Sequence, residues 1–428
     1  MLCYNISEKG ITLKKKVALD VVGCKLNQAE TEALARKFAE NGYLVVPGDD
    51  TTDIYILNTC TVTGIADRKS RHLLRMARRN NPGALTVALG CYTQRAASEL
   101  EKEEYIDLLV DNQQKENLVE IIKKIMPPED IGISASGVKR GRSFIKIQDG
   151  CDNFCAYCVV PFVRSIKKCL PPEEIITQVK QRVVEGYREA VLTGTEIGGY
   201  ESFGLKLKGL IERILKETDT ERLRLSSLQT QHISRELASL WQNPRLCRHF
   251  HLALQSGSDS VLKRMKRRYT VGDYERAVGV IRDIAPDAAI TTDIIVGFPG
   301  ETDKEFEESY RFCKRMEFAR IHVFPFSRRP GTAAAEMPGQ SKDKVKRERR
   351  DKMLALAERS SNRFMERFSG KVVKVLWEQQ KGVYWSGLTG NYIRVYTRSD
   401  KDLTNQITEV TLGEVWRSGM RATPSPSL

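Results

Sequence analysis

Over the first 125 or so residues, short continuous apolar runs alternate with amphipathic stretches. VALDVVGC from Val17, DIYILNTC from Asp53, LTVALGC from Leu85 and IDLLVD from Ile106 are the apolar runs, and several are β-branched. NQAETEALARKFAENG and ADRKSRHLLRMARRN lie between them and carry apolar residues at helical spacing. Buried strands alternating with helices predict an open parallel α/β sheet over residues 14–126, with both faces covered. Met126–Val138 holds Pro127, Pro128 and several small residues and reads as a linker. Six further runs follow: SFIKIQD, EAVLTG, RLRLSS, HFHLAL, AITTDIIVG and RIHVFPF, starting at Ser143, Glu189, Arg222, His249, Ala289 and Arg320. With helices between them they predict a partial parallel (β/α)6 barrel over residues 138–368. Ser341–Gly370 closes it as a helix, with Leu354, Ala357, Phe364 and Phe368 expected on one face. Residues 369–428 read as short strands, KVVKVLWEQ, GVYWSGLTG, NYIRVYTR and ITEVTLGEVW, and predict a small β-barrel. The tail RATPSPSL is expected to fray.

A chain of 428 residues suits two or three such domains. No run approaches the ~18 apolar residues of a membrane span. MLCYNISEKGITLKKK has no apolar core of signal-peptide length, so a cytoplasmic, reducing setting is expected. The formal charge of +14, from 69 Lys+Arg against 55 Asp+Glu, suits a polyanionic partner, nucleic acid above all.

Ten cysteines in a reducing compartment read as metal or redox ligands before disulfides. Cys3, Cys169, Cys247 and Cys313 stand alone and read as incidental thiols. Residues 150–161, GCDNFCAYCVVP, place Cys151, Cys155 and Cys158 in a C-x3-C-x2-C pattern at the end of the first barrel strand. Zinc favours four ligands, commonly in paired C-x2-C units, and no fourth ligand lies at a recognised spacing. Three thiolates instead suit a 4Fe–4S cluster with one open iron. Cys24, Cys60 and Cys91 each close a predicted strand of the first sheet. Ligand sites in open α/β sheets lie beyond the carboxyl ends of the strands, so these three thiols are expected to hold a second cluster.

The C-x3-C-x2-C segment with the barrel behind it resembles the radical S-adenosylmethionine (SAM) superfamily. That resemblance implies SAM chelated on the open iron and cleaved to a 5′-deoxyadenosyl radical. It implies SAM contacts from Tyr157, from Gly194, Thr195 and Glu196 in TGTE, from Ser227, from Gln255 in QSGSD, and from Asp293 and Gly297 in DIIVGFPGET. GCKLNQAE, NTCTVT, ADRKSR, RLRLSSLQ and FPFSRRPGTAAAEMPGQ, together with the cysteine sets, resemble the radical SAM methylthiotransferase family over nearly the whole chain. The closing barrel resembles a TRAM domain, which binds RNA. The first blocks are most similar to the subgroup that acts on N6-threonylcarbamoyladenosine beside the tRNA anticodon. The resemblance implies two 4Fe–4S clusters, SAM, a tRNA substrate, a sulfur donor, and an electron donor such as flavodoxin or ferredoxin. Methylthiolation of isopentenyladenosine in tRNA or of a ribosomal-protein aspartate, and a non-catalytic iron–sulfur RNA-binding regulator, are the competing readings.

The chemistry accounts for this equipment. An aromatic C–H lies outside the reach of side-chain acids and bases, so a cofactor must supply the activation while the protein orients. Arg68, Lys69, Arg71 and Arg75 on the helix after Cys60, and Arg394 in the last barrel, are candidate phosphate contacts. Trp377, Tyr384, Trp385, Tyr392 and Tyr396 either fill the last barrel or stack on bases. Ser165, Lys168 and Leu170 stand where the family usually carries glycine and two arginines, and Gln229 where it is commonly acidic.

Overall fold

The computed structural model describes residues 14–48, 50–128 and 141–424. The chain divides into two compact units. Residues 129–138 of the expected linker, and Cys3, lie outside the described residues.

The first unit is a five-stranded parallel sheet: β1 (Lys16–Val21), β2 (Leu44–Val46), β3 (Ile54–Thr59), β4 (Leu85–Gly90) and β5 (Leu108–Val110), in the order β2-β1-β3-β4-β5. Four strands were expected. The fifth, β2, is three residues long and nowhere fully buried, so its apolar signal is weak. Every position of β3 is buried because successive side chains face opposite cores. Ile54 and Ile56 pack with Leu34, Phe38 and Ile122 on one side, and Tyr55 and Leu57 with Leu74 and Ala77 on the other.

The second unit holds two barrels. The larger is built on β6 (Arg142–Lys146), β7 (Glu189–Thr193), β8 (Arg222–Leu225), β9 (His249–Leu252), β10 (Ala289–Val296) and β11 (Arg320–Pro325), all paired in parallel. The six expected strands are these six. The third breaks at Ser226: Arg222–Leu225 pairs with β7, and Ser227–Leu228 continues beside β9. One parity of each strand, including Ile145, Leu192, Leu223, Phe250, Ile290 and Ile321, packs under the surrounding helices in one core. The other parity faces the lumen and mixes polar residues, Glu189, Arg224, His249, His251, Thr291 and Asp293, with apolar ones such as Val191 and Ala289.

Asp343–Glu366 forms the expected long helix. Leu354 is 44% exposed, however, and Met353, Leu356 and Ala357 carry the packing instead. At ~100° per residue, Met353, Ala357 and Phe364 share a face that Leu354 misses. Phe364, Met365 and Phe368 run on into the core of the smaller barrel. That barrel closes as β12 (Val372–Lys381), β13 (Tyr384–Thr389), β14 (Arg394–Thr397), β16 (Gly419–Pro424) and β15 (Ile407–Trp416). Arg421–Pro424 therefore lies in a strand and is not a frayed tail: antiparallel pairing with β15 uses its backbone. Residues 425–428 lie outside the described residues.

The two barrels join through buried charge. Glu189 and Arg224, both fully buried, pair at 2.6 Å. Arg224 also donates to the carbonyls of Gly390 (3.1 Å) and Thr389 (3.3 Å), and Arg222 to those of Leu388 (3.0 Å) and Lys374 (2.8 Å). Tyr392, with φ +67°, stacks on His249 at 4.4 Å between centroids. Among the described residues no helix is long and apolar enough to cross a membrane.

Candidate metal centres and nucleic-acid surface

Cys24, Cys60 and Cys91 follow β1, β3 and β4, which are neighbours in the sheet. Val21 pairs with Asn58, and Thr59 with Gly90, so the three strands end almost level and place their cysteines at one carboxyl edge. Adjacent strands lie ~4.8 Å apart, a spacing a shared cluster can bridge. Cys60 and Cys91 are buried and Cys24 is exposed. Gly23, at φ +118°, lets the chain pass so close to Cys60 that a Cβ there would lie 2.9 Å from its sulfur. Asn27 ties the ends together, donating to the carbonyls of Val22 and Thr59 at 2.9 Å each. Behind it Asn58 donates to Thr31 Oγ1 at 3.2 Å, and the buried pair Lys115–Glu30 closes at 2.6 Å. The sequence reading missed these polar supports. Their only signal is Asn, Thr and Glu where a helix core-face pattern expects apolar residues.

Cys151, Cys155 and Cys158 lie on the loop after β6, all half-buried. The Asn153 amide donates to Cys151 Sγ and the Arg267 guanidinium to Cys155 Sγ, each at 3.2 Å. Such donors suit sulfur that carries negative charge, as cluster-bound thiolates do. Burial pushes the bare Cys158 thiol up to about 12, so it needs a metal to become a thiolate. The donor set thus fits a cluster.

Gln148, fully buried, is the hub of this loop and was also missed. Its amide nitrogen donates to Gly150 O (2.6 Å), and its amide oxygen accepts from Thr195 Oγ1 (3.0 Å) and the Glu196 N–H (2.8 Å). The close seating of Gly194 on Gln148, where a Cβ would meet its carbonyl at 2.6 Å, completes the joint. Glu196 therefore stands beside the cysteine loop, 3.7 Å from Cys151 Sγ. Burial alone raises its carboxyl. Hydrogen bonds from His232 and Asn153 and the charge of Lys167 outweigh that and hold it down at about 2. An ionised carboxylate here suits a ligand ammonium group.

The other expected SAM residues are placed unevenly. Tyr157 packs beside Phe298 and Met265. Gln255, at φ +68°, donates its N–H to Asp293 O at 2.8 Å. Asp293 Oδ2 lies 3.2 Å from His251 Nε2, and Thr291 Oγ1 joins His251 Nδ1 (2.9 Å) to His249 Nε2 (3.0 Å). This lumenal chain runs from the Tyr392 stack to the strand ends. Ser227 is exposed, while the space over Gly297 is filled by the Lys346 stem. Arg164, the retained arginine, is spent on Asp149 at 2.8 and 2.9 Å. Leu170 is structural, its carbonyl accepting from Tyr200 at 2.7 Å. Ser165 and Lys168 are exposed.

Of the basic helix, Arg68, Lys69 and Arg75 are exposed, whereas Arg71 turns back onto Tyr92. In the smaller barrel Trp377 and Trp385 are core. Trp416 is half-buried instead, with Tyr384 and Tyr396 at 5.0 and 5.2 Å and the Arg417 and Arg421 guanidinia at 4.1 and 4.8 Å from its ring. Arg394 is half-buried on the same barrel. An aromatic platform edged by arginines suits single-stranded nucleic acid.

Residues 145–313 match the model of the radical SAM superfamily, and residues 16–111 that of uncharacterized protein family UPF0004. The chain is similar to a threonylcarbamoyladenosine tRNA methylthiotransferase of Bacillus subtilis, 35% identical over 424 residues, 92% of this chain and 93% of that one. A protein of the same description from Thermotoga maritima is 38% identical over 396 residues, covering 89% and 91%. Among solved structures, the radical S-adenosylmethionine methyltransferase TsrM of Kitasatospora setae is similar in fold, with a TM-score of 0.55 at 15% identity over 76% of this chain and 77% of that one.

Proposed function

The chain belongs to the radical SAM methylthiotransferase family, and on that premise we propose that it converts N6-threonylcarbamoyladenosine in cytoplasmic tRNA to its 2-methylthio derivative. The observation that carries this reading is the pair of thiol sets, each at the carboxyl edge of its own parallel sheet. Cys151, Cys155 and Cys158 are assigned to the cluster that binds SAM, and Cys24, Cys60 and Cys91 to a second cluster that serves sulfur transfer. Residues 14–126, 138–368 and 369–428 are assigned as the methylthiotransferase, radical SAM and RNA-binding domains.

When bound, the first cluster and SAM supply one-electron chemistry able to break an aromatic C–H bond. The chain's own residues bind and orient. Glu196 offers a carboxylate to the SAM ammonium group, and Gln148 fixes the loop that presents it. Asp293, held by His251, is a second polar contact from the lumen. The platform around Trp416, with Arg68, Lys69, Arg75 and Arg394, is assigned to tRNA.

The test is anaerobic reconstitution with SAM, a reductant and tRNA carrying the threonylcarbamoyl group, followed by mass analysis of the nucleosides. The 2-methylthio product is expected. SAM cleavage with an unchanged nucleoside, or product only on isopentenylated tRNA, overturns the reading.

Cys60→Ala separates the two thiol sets. Iron is expected to fall by roughly half, one of two clusters. Formation of 5′-deoxyadenosine should persist while the methylthio nucleoside disappears. Full iron content with product formed would show that Cys60 is no ligand. Trp416→Ala should weaken tRNA binding about tenfold, within the ~1–3 kcal/mol of one base–aromatic stack, as read by filter binding at fixed salt. An unchanged dissociation constant would place the RNA surface elsewhere.

A further inference from the structure

Three neighbouring strands of the larger barrel each contribute one side chain with a metal-binding atom. β9 supplies His251, β10 Asp293 and β11 His322. Register brings them together. His251 pairs with Thr291, two residues before Asp293 on the same face of β10, and Asp293 pairs directly with His322. One ligand atom from each, an imidazole nitrogen or a carboxylate oxygen, lies within 4.8 Å of the other two. His251 Nε2 and Asp293 Oδ2 are 3.2 Å apart. Two ligands of a tetrahedral ion, each at ~2.0–2.1 Å from it, stand ~3.3 Å apart, so this edge already has a suitable length. The His322 ring meets that of His251 at 5.9 Å between centroids. His322 is exposed, so it can swing the remaining distance without disturbing a packed core.

The far side of His251 is built as a ligand support. Its Nδ1 lies 2.9 Å from Thr291 Oγ1, which lies 3.0 Å from His249 Nε2. A metal-bound imidazole gives one nitrogen to the ion and its other N–H to an acceptor, which fixes tautomer and ring orientation. In the tautomer with the proton on Nδ1, His251 donates to Thr291, and the Thr291 hydroxyl donates on to His249. Nε2 then aims a lone pair at a carboxylate oxygen, and two facing acceptors need a cation between them. All three ligands stand on strands of one sheet, which hold a site more rigidly than loops do.

We propose that His251, Asp293 and His322 bind one divalent ion of the zinc class, distinct from both cysteine sets. Two imidazoles and one carboxylate are a borderline donor set that suits zinc, whereas thiolates are the donors that hold iron–sulfur clusters. Three protein ligands leave a fourth position for water or for an oxygen of a bound molecule. A carboxylate has two oxygens, so binding through Asp293 Oδ2 leaves the polar contact assigned to Asp293 above in place. The site is read from these side chains alone and does not depend on the transferase reading.

The test is equilibrium dialysis of the reconstituted full-length protein against low-micromolar zinc chloride. Zinc and iron are counted by mass spectrometry, and the zinc shell is read by X-ray absorption. Wild type should hold one zinc per chain in a shell of nitrogen and oxygen without sulfur, with its iron retained. His322→Ala removes a ligand and should weaken zinc binding about a hundredfold or more. Thr291→Val keeps the shape and all three ligands and should weaken it about 10- to 100-fold, the usual effect of an outer partner. Iron content and circular dichroism of both variants should match wild type. No zinc in wild type, sulfur in its shell, or equal zinc affinity in both variants overturns the proposal. The last result would leave His251 and Asp293 as an ordinary hydrogen-bonded pair. If His322→Ala fails to fold, the wild-type zinc shell and Thr291→Val still decide. Absence of the 2-methylthio product sinks the functional reading instead and leaves the zinc count untouched.

Discussion

Cys155→Ala is expected to abolish SAM cleavage, lowering 5′-deoxyadenosine formation by at least ~1,000-fold, or ~4 kcal/mol in barrier terms. Three thiolates hold the assigned cluster, and loss of one leaves two ligands for four irons. Cys155 also accepts the hydrogen bond from Arg267, so its removal leaves that half-buried guanidinium without its sulfur partner. The readouts are iron content, the visible absorption of the cluster and 5′-deoxyadenosine under dithionite. Iron should fall by roughly half, since Cys24, Cys60 and Cys91 lie in the other unit. Cys169→Ala is the matched control. It lies eighteen positions after Cys151 in the same segment, but its backbone pairs with Gln148 as a short strand, and its thiol reads as incidental. Retained SAM cleavage in Cys155→Ala, or loss in Cys169→Ala, would reassign the ligand set.

The second large effect concerns stability. Glu189→Ala is expected to destabilise the second unit by ~3–5 kcal/mol, the usual cost of leaving one member of a buried ion pair behind. Glu189 and Arg224 are both fully buried, and Arg224 spans the junction of the two barrels through Thr389 and Gly390. Burial raises the Glu189 carboxyl, but the charge and hydrogen bonds of Arg224, with Arg142 and Arg222, hold it down at about 2. The sign follows directly. A folded pKa below the unfolded value of ~4.3 contributes stability above that value. This share, about 3 kcal/mol, is lost as pH falls from ~4.3 through the folded value of about 2. Urea unfolding of wild type should therefore weaken over that window, and Glu189→Ala should flatten the dependence. Glu189→Leu with Arg224→Met should recover much of the loss, since apolar replacement of a whole buried pair is often neutral. An unchanged urea midpoint for Glu189→Ala would show that the pair contributes little.

Legibility along the chain followed the strength of local signals. The six strands of the larger barrel were readable because each is a run of alternating or continuous apolar residues between turn residues. Leu44–Val46 escaped because three half-buried residues are too few to show a period. Gly419–Pro424 escaped because GMRATP has little apolar pattern, and its strand exists through pairing with Ile407–Trp416 and Arg394–Thr397. Leu354 was placed on the wrong helix face because the basic helix carries apolar residues on two adjoining faces, and only packing selects between them.

The sites divide in the same way. The C-x3-C-x2-C spacing is local, and so is the position of Cys24, Cys60 and Cys91 at the ends of apolar runs. Sequence by itself therefore determined the residue types, their strand-end placement and the family they resemble. Strand order is not local. Only the sheet order, with β1, β3 and β4 as neighbours, puts Cys24, Cys60 and Cys91 on one edge, because parallel pairing joins segments 37 and 31 residues apart by long-range hydrogen bonds. The tertiary structure likewise decided that Gln148 is the hub of the cysteine loop, that Tyr392 stacks on His249, and that Trp416 and its arginines form the aromatic platform. Each depends on which buried polar group or open ring face meets a partner distant in sequence, and a one-dimensional pattern of apolar and polar residues does not carry that information.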